Sequence, residues 1–467
     1  MNTDHTDQLD RTLRDVLQNW TPDSPGTPDP SGSSGAPTGI ADRLVRRRRR
    51  RNLTRVAGAA LGLAGITVGA VLTAGAGGND GSQPASRLST HSKLLWQTTL
   101  PGASWDACAT ASGGVYCRGP EHDAVGVNAR TGKVTWQRES ADAHGGRTPA
   151  GSVPGVRDGV LYTFADHAPG AGTPGTDLVA LDLARQKVLW KHKLADDSRG
   201  RSSAVLFDGG ILANTPTFKS VAALDAKTGR TLWTYKWKKA DCERTAIGGV
   251  PYLMCSPDSE KAPQRSTVVR LDPATGTPRT VATVKGQTAY VGADGDTVLL
   301  AAPLGRRKSP TSSGPATLYR VDTRTGATTQ HRVGSMPMGE VADGRILTPR
   351  RGDEVVAYSA KDGRRLWSRH LGLTLREEER GSGMRERPSA AAVDLSARMA
   401  YYLSPSGQLV GLDLDSGVVR WRGQVRLPER PVEGGIAPEL MPYGHGLIGQ
   451  SGGELFRIKP VLDRTGS

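Results

Sequence analysis

Four cysteines, a recurring aspartate and two glycine-rich patterns are the residue types here that suit chemistry. Cys108 and Cys117 bracket eight residues that include Gly113-Gly114, and Cys242 and Cys255 bracket twelve that include Gly248-Gly249. Neither spacing has the short step of a zinc knuckle, although metal ligation is the alternative chemistry for such pairs. Each pair straddles an expected hairpin turn, where facing Cα atoms lie about 4.5–5.5 Å apart and a disulfide fits. Two local bridges, Cys108–Cys117 and Cys242–Cys255, are therefore expected, and they imply an oxidising compartment. Gly444-His-Gly446-Leu-Ile-Gly449 has the spacing of a dinucleotide loop, yet no helical segment follows to receive a pyrophosphate. Gly449-Gln-Ser451-Gly-Gly453 has nucleophile-elbow spacing but falls between two short strand-like runs, so both patterns are read as turns. The nine histidines contain no H-x-x-x-H or H-E-x-x-H pair. No catalytic or metal-ligating residue is assigned, and no enzymatic activity is expected.

The aspartates belong to a repeat, which identifies the elements that must position everything else. Asn128-Ala-Arg-Thr-Gly132 with Trp136, Asp182 with Trp190, and Asp225-Ala-Lys-Thr-Gly229 with Trp233 are the first three copies. Asp272-Pro-Ala-Thr-Gly276 and Asp322-Thr-Arg-Thr-Gly326 follow without a tryptophan. Ser359-Ala-Lys-Asp-Gly363 with Trp367 and Asp413-Leu-Asp-Ser-Gly417 with Trp421 bring the count to seven. An eighth unit begins at Leu455-Phe-Arg-Ile458-Lys459, giving 331 residues over seven steps and a period near 47. In each copy an apolar run ends in a residue able to accept backbone N–H groups two and three positions on. In six of the seven copies glycine then supplies the positive φ of the turn, and in five a second strand carries tryptophan eight residues after the aspartate position. Upstream lie glycine-started strands such as Gly159-Val-Leu-Tyr and Gly344-Arg-Ile-Leu. With a short inner strand added, each period holds four strands, the size of a propeller blade. Asp182, Asp225, Asp272, Asp322 and Asp413 are accordingly read as turn formers.

This register resembles the PQQ-binding-like repeats of quinoprotein-type β-propellers, here in a membrane-anchored bacterial member. The resemblance covers about residues 93–460 and implies an all-β, eight-bladed propeller, with seven blades as the fallback. It also implies that Trp96, Trp136, Trp190, Trp233, Trp367 and Trp421 pack against neighbouring blades, as large flat rings do well. Trp96 precedes the first full unit, so the run 93–100 reads as the missing outer strand of blade eight. Pairing it with the strands near 447–458 closes the ring and leaves no open sheet edge. Quinoprotein dehydrogenases of similar repeat carry adjacent cysteines beside the quinone, with carboxylates and an asparagine holding calcium. No Cys-Cys occurs here, so no cofactor is expected, and pyrroloquinoline quinone (PQQ) is what the resemblance leaves open.

Charge and hydropathy place the propeller. The net charge of +15 invites a nucleic-acid reading, but eight arginines fall between Arg43 and Arg55, directly before the uncharged run Val56–Gly78. Those 23 residues suffice to cross a bilayer core of about 30 Å, and arginines at one end hold that end in the cytoplasm. Residues 1–45 are thus expected to be a cytoplasmic segment, 53–78 a transmembrane helix, 79–91 a tether, 92–460 the propeller and 461–467 a tail. A cleaved signal sequence ending near Ala74-Gly75-Ala76 is the rival, and both readings export the body. Within 1–45, Leu9, Leu13, Val16, Leu17 and Trp20 share one face of a short amphipathic helix, followed by a Pro/Gly/Ser linker. The expected function is a membrane-anchored, extracytoplasmic binding module for a protein or cell-envelope ligand, with no nucleic-acid partner. Loops around 138–155, 303–316 and 374–388 are the candidate contacts. A PQQ-dependent oxidoreductase and a transmembrane sensor signalling through residues 1–45 are the alternatives.

Overall fold

The computed structural model describes residues 90–462 apart from 101–107, 112, 120–121, 140–152, 167–175, 195–203, 216–218, 239, 258–263, 305–313, 351, 376–386, 428–437 and 452. The expected cytoplasmic helix, membrane helix, most of the tether and the end of the tail lie outside those residues. What is described is all-β: thirty-two strands in eight four-stranded antiparallel sheets. Blades 1 to 7 occupy residues 109–139, 155–193, 204–236, 240–285, 289–333, 340–370 and 392–424 in chain order. Blade 8 joins the two ends of the propeller, three strands from 439–460 and an outer strand Ser92–Thr99.

Burial falls off along each blade, and the residue patterns follow it. Second and third strands such as Met399–Leu403 and Gln408–Asp413 are buried almost throughout, because a neighbouring blade covers each face. They therefore read as continuous apolar runs rather than alternating ones. Outer strands such as Thr231–Lys236 alternate, with Trp233 buried between exposed neighbours. No single core fills the molecule. Eight apolar clusters occupy the eight gaps, one pair of blades each. In the gap between blades 2 and 3, for instance, Tyr162, Phe164, Leu178 and Trp190 meet Ile211, Ala213, Ala222 and Leu224.

The repeat residues form the connections between these wedges. Asp225 Oδ1 accepts the N–H groups of Lys227 and Thr228 at 3.1 and 2.7 Å. Asp182, Asp272, Asp322 and Asp413 make the same pair of bonds, and Asn128 and Ser359 substitute in blades 1 and 6. The tryptophan of one blade then lies on the turn of the next. Trp190 Nε1 donates to the Ala226 carbonyl at 3.1 Å, Trp233 to Pro273 at 2.8 Å and Trp367 to Leu414 at 3.1 Å. Their rings cover Gly229, Gly276 and Gly417, where a Cβ would sit 2.5 Å from a ring carbon. The turn glycine thus answers two demands, a positive φ and a flat seat for the ring.

Trp136 differs because blade 2 has Gln186 where the others have glycine. It stays half-buried, packed against the cluster between blades 1 and 2. Each of the six tryptophans also sits beside a register shift, the residue before it being the extra one of a bulge. In five blades the residue facing the indole is Gly or Ala, which leaves room for it.

Closure runs through Ser92–Thr99, paired antiparallel with Glu454–Pro460 from Ser92↔Pro460 to Thr99↔Glu454. The buried Glu454 carboxylate accepts from Gln97 at 3.1 Å and Thr99 at 2.7 Å. Trp96 Nε1 donates to Ala129 of blade 1 at 3.0 Å, and Trp421 donates to the His91 carbonyl at 2.9 Å, where no turn joins the third and outer strands of blade 8. One expectation is corrected. Closing the ring does not remove sheet edges, since each blade is its own sheet and all eight outer strands remain edges. A propeller closes by packing blade faces, whereas only a continuous barrel pairs every strand on both sides.

The two cysteine pairs are bridged as expected, Cys108–Cys117 in blade 1 and Cys242–Cys255 in blade 4, with Cα–Cα distances of 4.3 and 4.0 Å. Cys242 and Cys255 are direct register partners on the first two strands of blade 4, while Cys108 lies one residue before the innermost strand of blade 1 and is tied to its second strand. Replacing Cys242 and Cys255 together by alanine is expected to lower stability by about 2–3 kcal/mol. Non-reducing peptide mapping should recover each bridge within its own hairpin, and a cross-paired product would refute this arrangement.

Hydrogen bonding in the turns predicts an acid response. The Asp182, Asp272 and Asp322 carboxyls are held below their usual range first by the N–H groups of Arg185, Thr275 and Thr325, then by those side chains. For Asp225 the Thr228 hydroxyl contributes most. A depressed folded pKa gives stabilisation that is complete above the unfolded value near about pH 4, and that is lost as pH falls through the lower folded values. Melting temperature should therefore hold from neutrality to about pH 5 and drop below about pH 4. Asp225→Asn with Asp272→Asn should flatten that drop, and an unchanged acid profile would show the turns to be irrelevant to it.

Candidate functional site

Strand direction alternates within a blade, so first-to-second and third-to-fourth turns lie on one face of the ring. Connections from second to third strand, and from the outer strand to the next blade, leave from the opposite face. All five repeat aspartates lie in third-to-fourth turns and are distributed round the first face. On that face Arg398 bonds Asp415 at 2.6 Å and Asp343 at 3.1 Å, and Arg345 contacts the same two carboxylates, clasping blades 6 and 7. The structure thus spreads the aspartates, tryptophans and cysteines through the scaffold instead of converging them. Gly444 and Gly453 fall at hairpin turns with φ of 57° and 89°, which leaves both glycine-rich patterns as turns. Loops 138–155, 303–316 and 374–388 join strand ends on the face opposite the aspartates, and their central residues lie outside those described.

Convergence occurs at the centre of the ring, where eight short inner strands border a channel. A cavity of about 430 Å³ lies along blades 6 to 8, lined by Glu340, Ala391, Val393, Glu439 and Met441 among others. Glu439 Oε2 accepts the Cys108 N–H at 2.6 Å and so joins blade 8 to blade 1. Surrounding protein raises the Glu340 carboxyl above its usual range. Tyr290 faces Thr245 across 3.4 Å between the hydroxyls. Burial raises its phenol first, the Thr245 contact lowers it, and Glu243 and Glu340 raise it further. Tyr402 is fully buried, and its hydroxyl is raised by burial and then by Glu340.

Phenols shifted upward stay protonated at neutral pH. Carboxylates set among alanine, valine and methionine suit a cationic or hydrogen-bond-donating group carried on an apolar stem. Among the described residues no three His, Cys, Asp or Glu side chains come together to hold a metal ion. None of Glu243, Tyr290, Glu340 or Glu439 stood out in the sequence. They lie on innermost strands, outside the repeat signature, and the only signal was position shortly before each glycine-started second strand.

A family model described as outer membrane protein assembly factor BamB matches residues 87–208, 146–262 and 217–437. Tetrathionate hydrolase of Acidithiobacillus ferrooxidans is 26% identical over 177 residues, 35% of this chain and 33% of that protein. A quinoprotein ethanol dehydrogenase of Pseudomonas putida is 40% identical over 53 residues, 11% of this chain and 8% of that one. Outer membrane protein assembly factor BamB of Nitrosomonas eutropha is 34% identical over 101 residues, 22% of each chain. The matched stretches thus span a third or less of these relatives' lengths. The crystal structure of BamB from Moraxella catarrhalis superposes with a TM-score of 0.52 at 16% identity, covering 79% of this chain and 100% of that one. At that identity the likeness concerns the fold.

Proposed function

Because this chain belongs to the β-propeller family described as outer membrane protein assembly factor BamB, we propose that it is a non-catalytic binding module. In this reading it is held to a membrane by residues 53–78 and displayed outside the cytoplasm. The observation that carries the proposal is how its polar repeat residues are used. Each of the five repeat aspartates caps backbone N–H groups, four of the tryptophans seat on a turn glycine of the next blade, and both cysteine pairs close hairpins. Disulfides of this kind support an oxidising compartment. The ligand is a protein or envelope component that meets the long-loop face, and the acidic channel behind it favours a basic or donor-bearing group.

A second reading, PQQ-dependent oxidation, is favoured by the 40% identical stretch shared with the ethanol dehydrogenase. The residues described fit it poorly. Their cysteines are engaged in bridges across hairpins rather than as an adjacent pair, and the channel carboxylates Glu340 and Glu439 lie without a third ligand of metal-holding type. Titration calorimetry of the full-length chain with PQQ and calcium separates the readings. No stoichiometric binding is expected, and binding accompanied by dye-linked alcohol oxidation would replace the module with an enzyme. Protease added to intact cells should remove propeller epitopes and spare an N-terminal tag, and the reverse outcome would overturn the orientation.

A further inference from the structure

Charge is sorted radially in this propeller. The eight outer strands carry thirteen lysines or arginines against one carboxylate, Glu139, while the eight inner strands carry six carboxylates against Arg157 and Arg244. Over the whole chain the ratio is only 61 to 46. Outer strands are edges, and a charge of either sign keeps an edge from pairing with another chain. Edge protection, for which lysine is the commonest charge, accounts for part of this belt but not for exposed leucines set within it. A single sign maintained round the rim is what an anionic partner selects.

The adjacent blades 2 and 3 carry four of these thirteen, as many as blades 6 and 7, but here all four are exposed. Lys187, Lys191 and Lys193 on one outer strand and Lys236 on the next are all exposed. Leu189 and Leu232 stand among them, 46% and 47% exposed, at equivalent places. Each is the extra residue of the bulge before its tryptophan, Leu189 beside Trp190 and Leu232 beside Trp233. The two strands keep a fixed spacing because Trp190 is seated on Gly229 of blade 3. A rigid pair of leucines set in lysines matches an interface with an apolar layer beneath anionic headgroups. A soluble polyphosphate would engage the lysines and leave the leucines without a role.

We propose that the rim of blades 2 and 3 docks on a phosphate-bearing lipid surface, so that the disc stands on its edge against the bilayer. The inference deepens the reading of the chain as a membrane-held module and rests on it. Lys191 and Lys236 contact phosphate, Leu189 and Leu232 enter the headgroup layer, and the long-loop face is left pointing along the membrane.

Hydrogen exchange of the full-length chain tests this, in nanodiscs of phosphatidylcholine alone or in equal mixture with phosphatidylglycerol. Amides of Lys187–Lys193 and Thr231–Lys236 should exchange more slowly in the anionic discs, while the blade 5 outer strand Thr328–Val333 is unchanged. Lys191→Gln and Lys236→Gln should each reduce the protection about fivefold. Leu189→Ser with Leu232→Ser should weaken it at high salt, where lysines are screened. Equal exchange in the two lipids overturns the proposal, as does the same protection produced by soluble polyphosphate in neutral discs. Incorporation into discs is read separately by co-purification. A chain that fails to incorporate refutes the anchor, and flotation with vesicles of the same two compositions then reads the rim directly. Equal flotation with both would overturn it.

Discussion

A chain that begins at residue 101 is expected to be insoluble or oligomeric, whereas one that begins at residue 88 should be a stable monomer. The strand Ser92–Thr99 is the only outer strand of blade 8 and comes from the opposite end of the sequence to its partner Glu454–Pro460. Without it, the Glu454 carboxylate loses Gln97 and Thr99, the turn of blade 1 loses the Trp96 indole, and a buried strand becomes an edge. Unpaired edges of buried strands promote association between chains. Trp96→Ala removes only the ring that rests on Gly132 and should cost about 3–5 kcal/mol. Deletion of the strand should exceed this, because the Leu100 N–H bond to Gly453 is lost along with the whole ladder. Thermal melting of the two chains is the measurement. Equal melting temperatures would mean that blade 8 does not hold the ring shut.

Substitution of Gly229 should destabilise far more than its alanine replacement would in an ordinary turn. Its φ is +69°, and a Cβ there would sit 2.5 Å from Cδ2 of Trp190, whose indole cannot retreat without leaving the Ala226 carbonyl. Left-handed backbone costs about 1–2 kcal/mol for alanine, and overpacking adds about 1–3 kcal/mol more. The expected loss for Gly229→Ala is therefore about 2–5 kcal/mol, read from denaturant unfolding. Gly159 supplies the control, with φ of +74° and no atom within 4 Å of the place a Cβ would take. Gly159→Ala should lose only the backbone part, about 1–2 kcal/mol. Equal effects at the two sites would show that the indole is not seated as described. Trp190→Ala should bring the two glycine substitutions close to one another, since the ring is what distinguishes them.

By itself the sequence determined the unit of construction, the number of units and the means of closure. Each of these is either local or strictly periodic. The Asp225-to-Gly229 turn makes its bonds within five residues, so its letters declare its shape wherever it occurs. Trp96 was legible as the tryptophan of a missing outer strand because the other copies had fixed the position that it fills. Cysteine pairing was legible for the same reason, since Cys242 and Cys255 meet across one hairpin. Tertiary structure alone decided which residues face the centre of the ring. Glu243, Glu340 and Glu439 come from blades 4, 6 and 8, on strands of three to eight residues, and no spacing in the sequence relates them. It also decided that Arg345 and Arg398 share Asp343 and Asp415, which joins turns of two blades across 70 positions in the chain. The bulge beside each tryptophan was hidden too, because an extra residue in a short strand leaves the apolar pattern intact. The physical division is between interactions closed inside one hairpin, which a sequence must spell out, and contacts made where eight wedges converge. The latter depend on the ring being assembled, so they acquire a spacing only when it closes.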